Sequence, residues 1–310
     1  MAAAIDVHGL VKRYGSLAAV DGIDFSVPPG TIFSFLGPNG AGKTTTTEIL
    51  EGLRRRSEGE VRVLGLDPWT QGDELHRKIG VIPQDFHFFE KITPLEAIHY
   101  YRSLFHTRVD PQELLRVVEL SDKANARFDT LSGGQKQKLG LALALTNDPE
   151  ICFLDEPTTG LDPHARRSIW EVIRTQKREG RTVFLTTHYL EEAEILADQV
   201  AIINHGKIIA SGTPSEIIRV HGQTERMRIE GSPELARYLT EKLGIAVAAT
   251  DGHIEIELAG KRDALRILSA IDASGLPWES FSTRQDTLED VFVRLVGAMD
   301  EGALQSGGSP

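Results

Sequence analysis

Nine consecutive residues, Gly37-Pro38-Asn39-Gly40-Ala41-Gly42-Lys43-Thr44-Thr45, limit what this chain can fold into more than any other stretch. They satisfy the pattern G-x-x-x-x-G-K-[ST] in full. Glycine has no Cβ, so the backbone of such a loop wraps closely around phosphate oxygens. Its N–H groups and the start of the following helix then attract the anion. Lys43 is expected to reach the β- and γ-phosphates of a nucleoside triphosphate, and the Thr44 hydroxyl to coordinate Mg2+. This chemistry requires a strand before the loop and a helix after it. The apolar run Ile32–Leu36 reads as the strand, and TTTTEILEGLRRR as a helix with Ile49, Leu50 and Leu53 on one side. A tight glycine-rich turn is the competing reading, and it does not call for that context.

A second constellation is Ile151-Cys152-Phe153-Leu154-Asp155-Glu156. Four apolar residues read as a strand buried on both faces. Two acids emerge at its C-terminal end, where open α/β sheets bind ligands. Asp155 fits a carboxylate that holds Mg2+ through its water shell, and Glu156 is placed to polarise an attacking water as general base. An apolar strand ending in an acid is common by itself; the phosphate loop upstream makes this one informative. Farther on, a helix through ARRSIWEVIRTQKREG, the strand RTVFLTTH, the helix YLEEAEILA and the strands QVAIINHG and KIIASG follow one another. Such alternation implies a parallel sheet covered by helices. Residues 86–147 are mostly helical in pattern, with HFFEKITPLEAIHYYRSLF and PQELLRVVEL as amphipathic segments.

A third constellation, Leu131-Ser132-Gly133-Gly134-Gln135, precedes the helix KQKLGLALALTN. A serine hydroxyl, two glycines and a helix N-terminus make a second anion site. A chain that already has one full phosphate cradle has use for a second if it serves another nucleotide. LSGGQ is the signature of the ABC ATPases, which this chain resembles over roughly residues 5–220. The resemblance implies a P-loop NTPase of α/β class: a RecA-like core, an antiparallel β subdomain and a helical subdomain over about 86–147. It implies ATP and Mg2+ as ligands and ATP hydrolysis as the activity. It also implies a head-to-tail dimer in which Ser132, Gly133, Gly134 and Gln135 close on the γ-phosphate held by the second copy. Gln84 in IGVIPQD resembles the Q-loop glutamine that contacts Mg2+ and the attacking water. Asp162 in Gly160-Leu161-Asp162 resembles the D-loop that links the two sites. His188 resembles the switch histidine on the γ-phosphate, and Tyr14 the aromatic that stacks on adenine. One departure is Lys138, where many relatives carry arginine; lysine keeps the charge without the bidentate geometry.

The stretches TTTTEILEGLRRRSEGEVRVLG, THYLEEAE and TLEDVFVRLVG further resemble the bacterial drug- and polysaccharide-exporting subgroup, whose daunorubicin-resistance-type members carry a small C-terminal domain. In that subgroup the ATPase pairs with a separate membrane permease, here expected to export a drug-like, lipid or other hydrophobic substrate. From about residue 222 the pattern changes: Met227 and Ile229, then Ile254, Ile256 and Leu258, alternate with charged neighbours, as half-buried strands do. With PELARYLTEKLG, KRDALRILSAIDASG and TLEDVFVRLVG as helices, the order is that of a split βαβ sandwich with one closing helix. The expected division is therefore 1–221, 222–300 for a small α+β domain, and a disordered tail at 301–310.

Composition narrows the setting. The formal charge is −11, from 45 acids against 34 bases, which argues against wrapping nucleic acid. Chromosome-associated ABC ATPases carry a coiled-coil or zinc insertion between Gln84 and Leu131, where this sequence has neither sustained heptads nor a Cys-x-x-Cys pair. No window holds the roughly 18 apolar residues of a membrane span, and the first residues do not read as a signal peptide. The single cysteine, Cys152, fits a reducing compartment and a buried place in its strand. The expected location is the cytoplasmic face of the cell membrane, reached through the permease. Arg54-Arg55-Arg56 reads as a solvated helix end. His87-Phe88-Phe89 reads equally as core or as an apolar patch where the permease docks.

Overall fold

The computed structural model describes residues 2–84, 86–222, 225–245, 247–250, 253–258, 261–284 and 286–306. Two compact units divide the chain, Met1–Pro214 and Ser215–Pro310. The first opens with β1 (Ile5–Tyr14), β2 (Leu17–Val27) and β3 (Ile32–Leu36), then α1 (Lys43–Leu50), β4 (Glu58–Val63), a single turn α2 (Gly72–Leu75) and β5 (Ile79–Ile82). Helices α3 (Pro94–Phe105), α4 (Pro111–Val117) and α5 (Gly133–Ala144) come next. They lead to β6 (Ile151–Asp155), α6 (Pro163–Arg178), β7 (Thr182–Thr187), α7 (Leu190–Leu196), β8 (Gln199–Asn204) and β9 (Lys207–Gly212).

The central sheet has the order β5-β6-β7-β3-β8-β9. Its first five strands are parallel, and β9 closes the edge antiparallel to β8. Every residue of β3 and β7 is buried, which is why apolar residues fill both faces of these strands, with only small hydroxyl side chains (Ser34, Thr182, Thr186 and Thr187) among them. A second sheet, β2-β1-β4, is antiparallel. Phe25 of β2 stacks on Phe33 and Phe35 of β3, each at 5.6 Å between ring centroids. Phe184 of β7 lies 5.6 Å from both Phe33 and Phe153. This aromatic layer holds the two sheets together and sets the strand ends from which the phosphate loop and the two acids emerge.

Two helices differ from the sequence expectation. The helix after the phosphate loop stops at Leu50, where Gly52 turns with a left-handed φ of 77° and a Cβ would stand 2.4 Å from the carbonyl oxygen of Pro68. Leu53 therefore leaves the Ile49–Leu50 side and is 64% exposed. The segment beginning at His87 becomes helical only at Pro94. Thr93 and Glu96 form a reciprocal capping box there, and proline occupies a first-turn position where its missing N–H costs nothing.

The division falls at the first turn of α8 (Pro214–His221), between Pro214 and Ser215, rather than after residue 221. The second unit continues with β10 (Glu225–Gly231), α9 (Pro233–Leu243), β11 (Val247–Thr250), β12 (His253–Leu258), α10 (Lys261–Ser274), β13 (Trp278–Arg284) and α11 (Leu288–Ser306). The sheet order β11-β12-β10-β13, antiparallel throughout, is the split βαβ arrangement. Met227, Ile229, Ile254, Ile256 and Leu258 form its core with Leu235, Leu239, Ile267 and Ile271. The tail expected to be disordered from residue 301 is instead helical through Ser306, because α11 continues past Gly297 and Gly302; residues 307–310 lie outside the described residues.

Candidate active site

The phosphate loop joins β3 to α1, and its glycines are demanded by neighbours. Gly42 has φ 112°, and a Cβ there would stand 2.5 Å from the carbonyl oxygen of Ala19 in β2. Gly37 has no such φ, but a Cβ would lie 2.3 Å from the carbonyl oxygen of Ile203 in β8. The loop is thus wedged between two sheets, which fixes its N–H groups. Lys43 is buried, and its Nζ donates to the carbonyls of Gly37 and Pro38 at 2.7 and 3.2 Å. Burial lowers its pKa, and the carboxylates of Glu156 and Asp155 counter that effect. Of the four threonines after the lysine, Thr46 and Thr47 donate back to the carbonyls of Gly42 and Lys43. Thr44 and Thr45 instead face a cavity of about 330 Å³, lined also by Ala19, Asn39, Gly40, Gly42, Lys43, Gln84 and Glu156.

Both acids stand at the end of β6, and Glu156 lines this cavity. Glu156 holds a left-handed φ of 48°, a strained conformation for a residue with a side chain and one concentrated at functional sites. Its amide is held by the Thr186 carbonyl at 3.0 Å and the Thr186 hydroxyl at 3.2 Å. Its Oε2 accepts from Gln84 Nε2 at 3.0 Å and from Thr159 Oγ1 at 3.1 Å, and lies 3.0 Å from His188 Nδ1. Gln84, Glu156 and His188 come from three different strand ends and meet at one oxygen. Asp155 accepts from the Thr186 hydroxyl. Burial raises its pKa, and Thr186 works against that rise.

Mg2+ prefers few protein oxygens, with the rest of its shell from phosphates and water. The Thr44 hydroxyl, the Asp155 carboxylate and the Gln84 amide oxygen suit that demand.

The remaining sequence candidates do not line this cavity. Ser132 caps α5: its hydroxyl accepts from the Gln135 amide at 3.3 Å, while Gln135 Oε1 accepts from the Ser132 amide at 3.0 Å. Gly134 faces Ala165, where a Cβ would stand 2.9 Å from that methyl. Asp162 caps α6 by accepting from the amides of His164 and Ala165, both at 2.9 Å. Those amides hold its pKa low. Tyr14 is 41% exposed, with Lys12 and Arg54 over its ring at 5.0 and 5.5 Å. Pro38 and Ala41 belong to the loop without facing the cavity. Lys138 makes a single-point ion pair with Glu119 at 2.7 Å. In the arginine run, Arg54 pairs with Glu48 and Arg56 with Asp67. Phe88 packs with Phe86, Tyr101 and Phe128, whereas Phe89 is 68% exposed, so that segment is part core and part surface.

The sequence did not mark Ala19, Thr159, Thr186 or Glu192 as contributors. Thr186 is a buried polar residue two positions before His188, and that mismatch between polarity and burial is its signal in the sequence. Glu192 is fully buried, and its Oε1 accepts from Trp170 Nε1 at 2.8 Å and Thr158 Oγ1 at 3.1 Å. It ties the turn after Glu156 to α6 and α7, and burial raises its pKa.

A glycine loop between a parallel strand and a helix, facing two acids at the end of another parallel strand, defines the class: a P-loop nucleotide hydrolase. Residues 20–159 match the ABC transporter family, and residues 212–296 match the C-terminal domain of DrrA1-3-like ATP-binding proteins. The chain is 36% identical to the daunorubicin/doxorubicin resistance ATP-binding protein DrrA of Streptomyces peucetius, over 95% of this chain and 92% of that one. It is 38% identical to the Nod factor export ATP-binding protein I of Rhizobium sp. strain N33, over 95% and 97%. A solved dimeric ATP-binding cassette in a post-hydrolysis state, bound to ADP and Pi, covers 67% of this chain and 98% of its own, with 26% identity and a TM-score of 0.60. The chain belongs to the ATP-binding subunits of ABC transporters and is an ATPase coupled to transport.

Proposed function

We propose that two copies of this chain bind two ATP-Mg2+ head to tail, each nucleotide lying between the phosphate loop of one copy and Leu131–Gln135 of the other. Closure of the pair drives a separate membrane permease that exports a drug-like, lipid or other hydrophobic substrate. The observation that carries hydrolysis, rather than binding alone, is the meeting of Gln84, Thr159 and His188 at one oxygen of Glu156, beside the cavity that Lys43 and Thr44 line. Glu156 takes the proton of the attacking water. Gln84 orients that water, and His188 donates to the γ-phosphate as the site closes. Lys43 and the loop amides hold the β- and γ-phosphates, whose charge Mg2+ neutralises when bound. Asp155, fixed by Thr186, and Thr44 are the residues that hold that ion.

The signature is the capped N-terminus of a 12-residue helix, an anion site set apart from its own chain's phosphate cavity. That separation supports a nucleotide shared between copies, as does the dimeric cassette described above. Export and a hydrophobic cargo rest on the relatives, which serve drug resistance and Nod factor export. No helix among the described residues is long and apolar enough to cross a membrane, which supports a separate permease and a peripheral place at the cytoplasmic face of the inner membrane. The exposed Phe89 beside Gln84 supports docking on that side.

A mixing experiment tests the shared site. Ser132→Arg and Lys43→Ala chains should each hydrolyse almost no ATP alone. Mixed, they form dimers with one intact loop facing one intact signature, and activity should return to a substantial fraction of wild type. No recovery on mixing would contradict the head-to-tail arrangement.

A further inference from the structure

His188 stands just past the end of β7 with 42% of its side chain exposed, so burial does not fix its ring. An exposed side chain that must meet one atom loses rotamer freedom at a cost unless a neighbour already limits it. One contact, Glu156 Oε2 at 3.0 Å from Nδ1, belongs to the hydrolytic site itself. A second comes from outside that site. The Tyr189 ring lies 4.2 Å from the imidazole between centroids, with the two planes tilted by 36°.

Tyr189 is itself held from two sides. Its amide donates to the buried Thr187 hydroxyl at 3.0 Å, which fixes the turn between β7 and α7. The Arg166 guanidinium lies 4.3 Å from the centre of its ring, well inside the roughly 6 Å at which an aromatic face attracts a cation. Arg166 Nε is buried without a hydrogen-bond partner among the described residues, so stacking rather than a hydrogen bond holds that nitrogen. The position of Arg166 is set by α6. Trp170 follows it by four residues and so shares its helix face. Trp170 Nε1 donates to the buried Glu192 of α7 at 2.8 Å, and Glu192 also accepts from Thr158, two residues past Glu156. One face of α6 therefore supports both sides of the hydrolytic site. Trp170 steadies the loop of Glu156 through Glu192, and Arg166 steadies the ring of His188 through Tyr189. Neither Arg166 nor Tyr189 lines the phosphate cavity, so both act at a remove from the nucleotide.

We infer that Arg166 and Tyr189 are positioning residues of the hydrolytic step: their stack backs the His188 ring and holds it in the orientation from which it turns to the γ-phosphate. This rests on the reading of His188 as the γ-phosphate partner. Small displacements of a group that meets the transition state lower the rate steeply, and a ring backed on one face has fewer orientations to lose as the site closes. Nucleotide affinity, which the loop amides and Lys43 supply, does not depend on the stack.

The test measures phosphate release and binding of a fluorescent ATP analogue by the full-length chain. Tyr189→Leu should lower kcat by at least about five-fold, the scale of one aromatic contact, while the affinity for the analogue stays within about two-fold of wild type. Tyr189→Phe keeps the ring and should behave as wild type. Arg166→Met keeps the aliphatic stem but removes the cation, and should lower kcat by about two- to three-fold. It also carries the test if Tyr189→Leu fails to fold. Positioning is separated from a general structural role by making the same two substitutions in a His188→Ala chain, read at high enzyme concentration. With the imidazole gone the stack has nothing to hold, so neither substitution should lower the residual rate further. Wild-type kcat in Tyr189→Leu, a Tyr189→Phe chain as impaired as Tyr189→Leu, or a loss that persists in the His188→Ala chain overturns the inference while leaving His188 in its role. Wild-type turnover by His188→Ala itself overturns that role and the inference with it.

Discussion

Thr186 gives the sharpest view of how the two acids are held. Its buried hydroxyl donates to Asp155 and accepts from the Glu156 amide at 3.2 Å, so one oxygen positions the ion-binding acid and the hydrolytic one. Thr186→Val keeps the shape and removes both bonds. The Glu156 amide retains the Thr186 carbonyl at 3.0 Å, so the main loss is the donor to Asp155. A hydrogen bond to a charged acceptor contributes about 1.5–3 kcal/mol, equivalent to roughly 10- to 100-fold in a binding or rate constant. Because burial already raises the Asp155 pKa and the Thr186 bond opposes that rise, the variant carboxyl should ionise at still higher pH. Phosphate release measured against Mg2+ concentration should show half-saturation displaced upwards by about that factor. The displacement should shrink as pH increases. ATP affinity in EDTA should be nearly unchanged, and Thr186→Ser should restore wild-type behaviour. A Val variant within two-fold of wild type, or a Ser variant as impaired as Val, would refute the reasoning.

Other perturbations probe the loop and the end of α1. Gly42→Ala forces a side chain into a left-handed backbone at φ 112° and against the Ala19 carbonyl at 2.5 Å. It should cost about 1–3 kcal/mol, seen as a lower melting temperature and at least ten-fold weaker binding of a fluorescent ATP analogue. Glu51 keeps its proton in the folded chain up to about pH 8 but loses it near pH 4.5 when unfolded. Stability should therefore fall as pH rises through that window, by at most about 1.4 kcal/mol per pH unit. Glu51→Gln removes the dependence, so denaturant melts from pH 5 to 8 should be flatter than those of wild type.

Much of the core was readable because a parallel sheet covered on both faces calls for apolar side chains on both faces of a strand, as in Ile32, Phe33, Phe35 and Leu36 of β3 and Ile151–Leu154 of β6. The phosphate loop was readable for a related reason: few arrangements need that many glycines before a lysine and a threonine. The second unit's element order also emerged from alternation at Met227–Ile229 and Ile254–Leu258. What stayed hidden depended on contacts distant in sequence. Gly52 turns the chain left-handed after α1, at a place where any side chain would meet the Pro68 carbonyl, and no periodicity in α1 announces that. Thr93 and Glu96 delay α3 through a reciprocal cap that an apolar pattern beginning at His87 obscured. Nothing in the local sequence marks Glu51 as buried, yet it is only 5% exposed. Lys138 was singled out as a weaker substitute for arginine; its partner, Glu119, lies 19 residues away and was not visible from spacing.

The central claim is that Glu156 performs hydrolysis at a nucleotide shared by two copies. Glu156→Gln keeps the size of the side chain, and its amide can still reach Gln84 or His188, but it cannot accept the proton of water. Sedimentation of this variant with ATP-Mg2+ should show a stable dimer holding unhydrolysed ATP. Phosphate release should fall by at least about 100-fold, the low end of what general acid–base catalysis contributes. A variant that hydrolyses ATP at the wild-type rate, or that binds ATP and stays monomeric, would contradict the account.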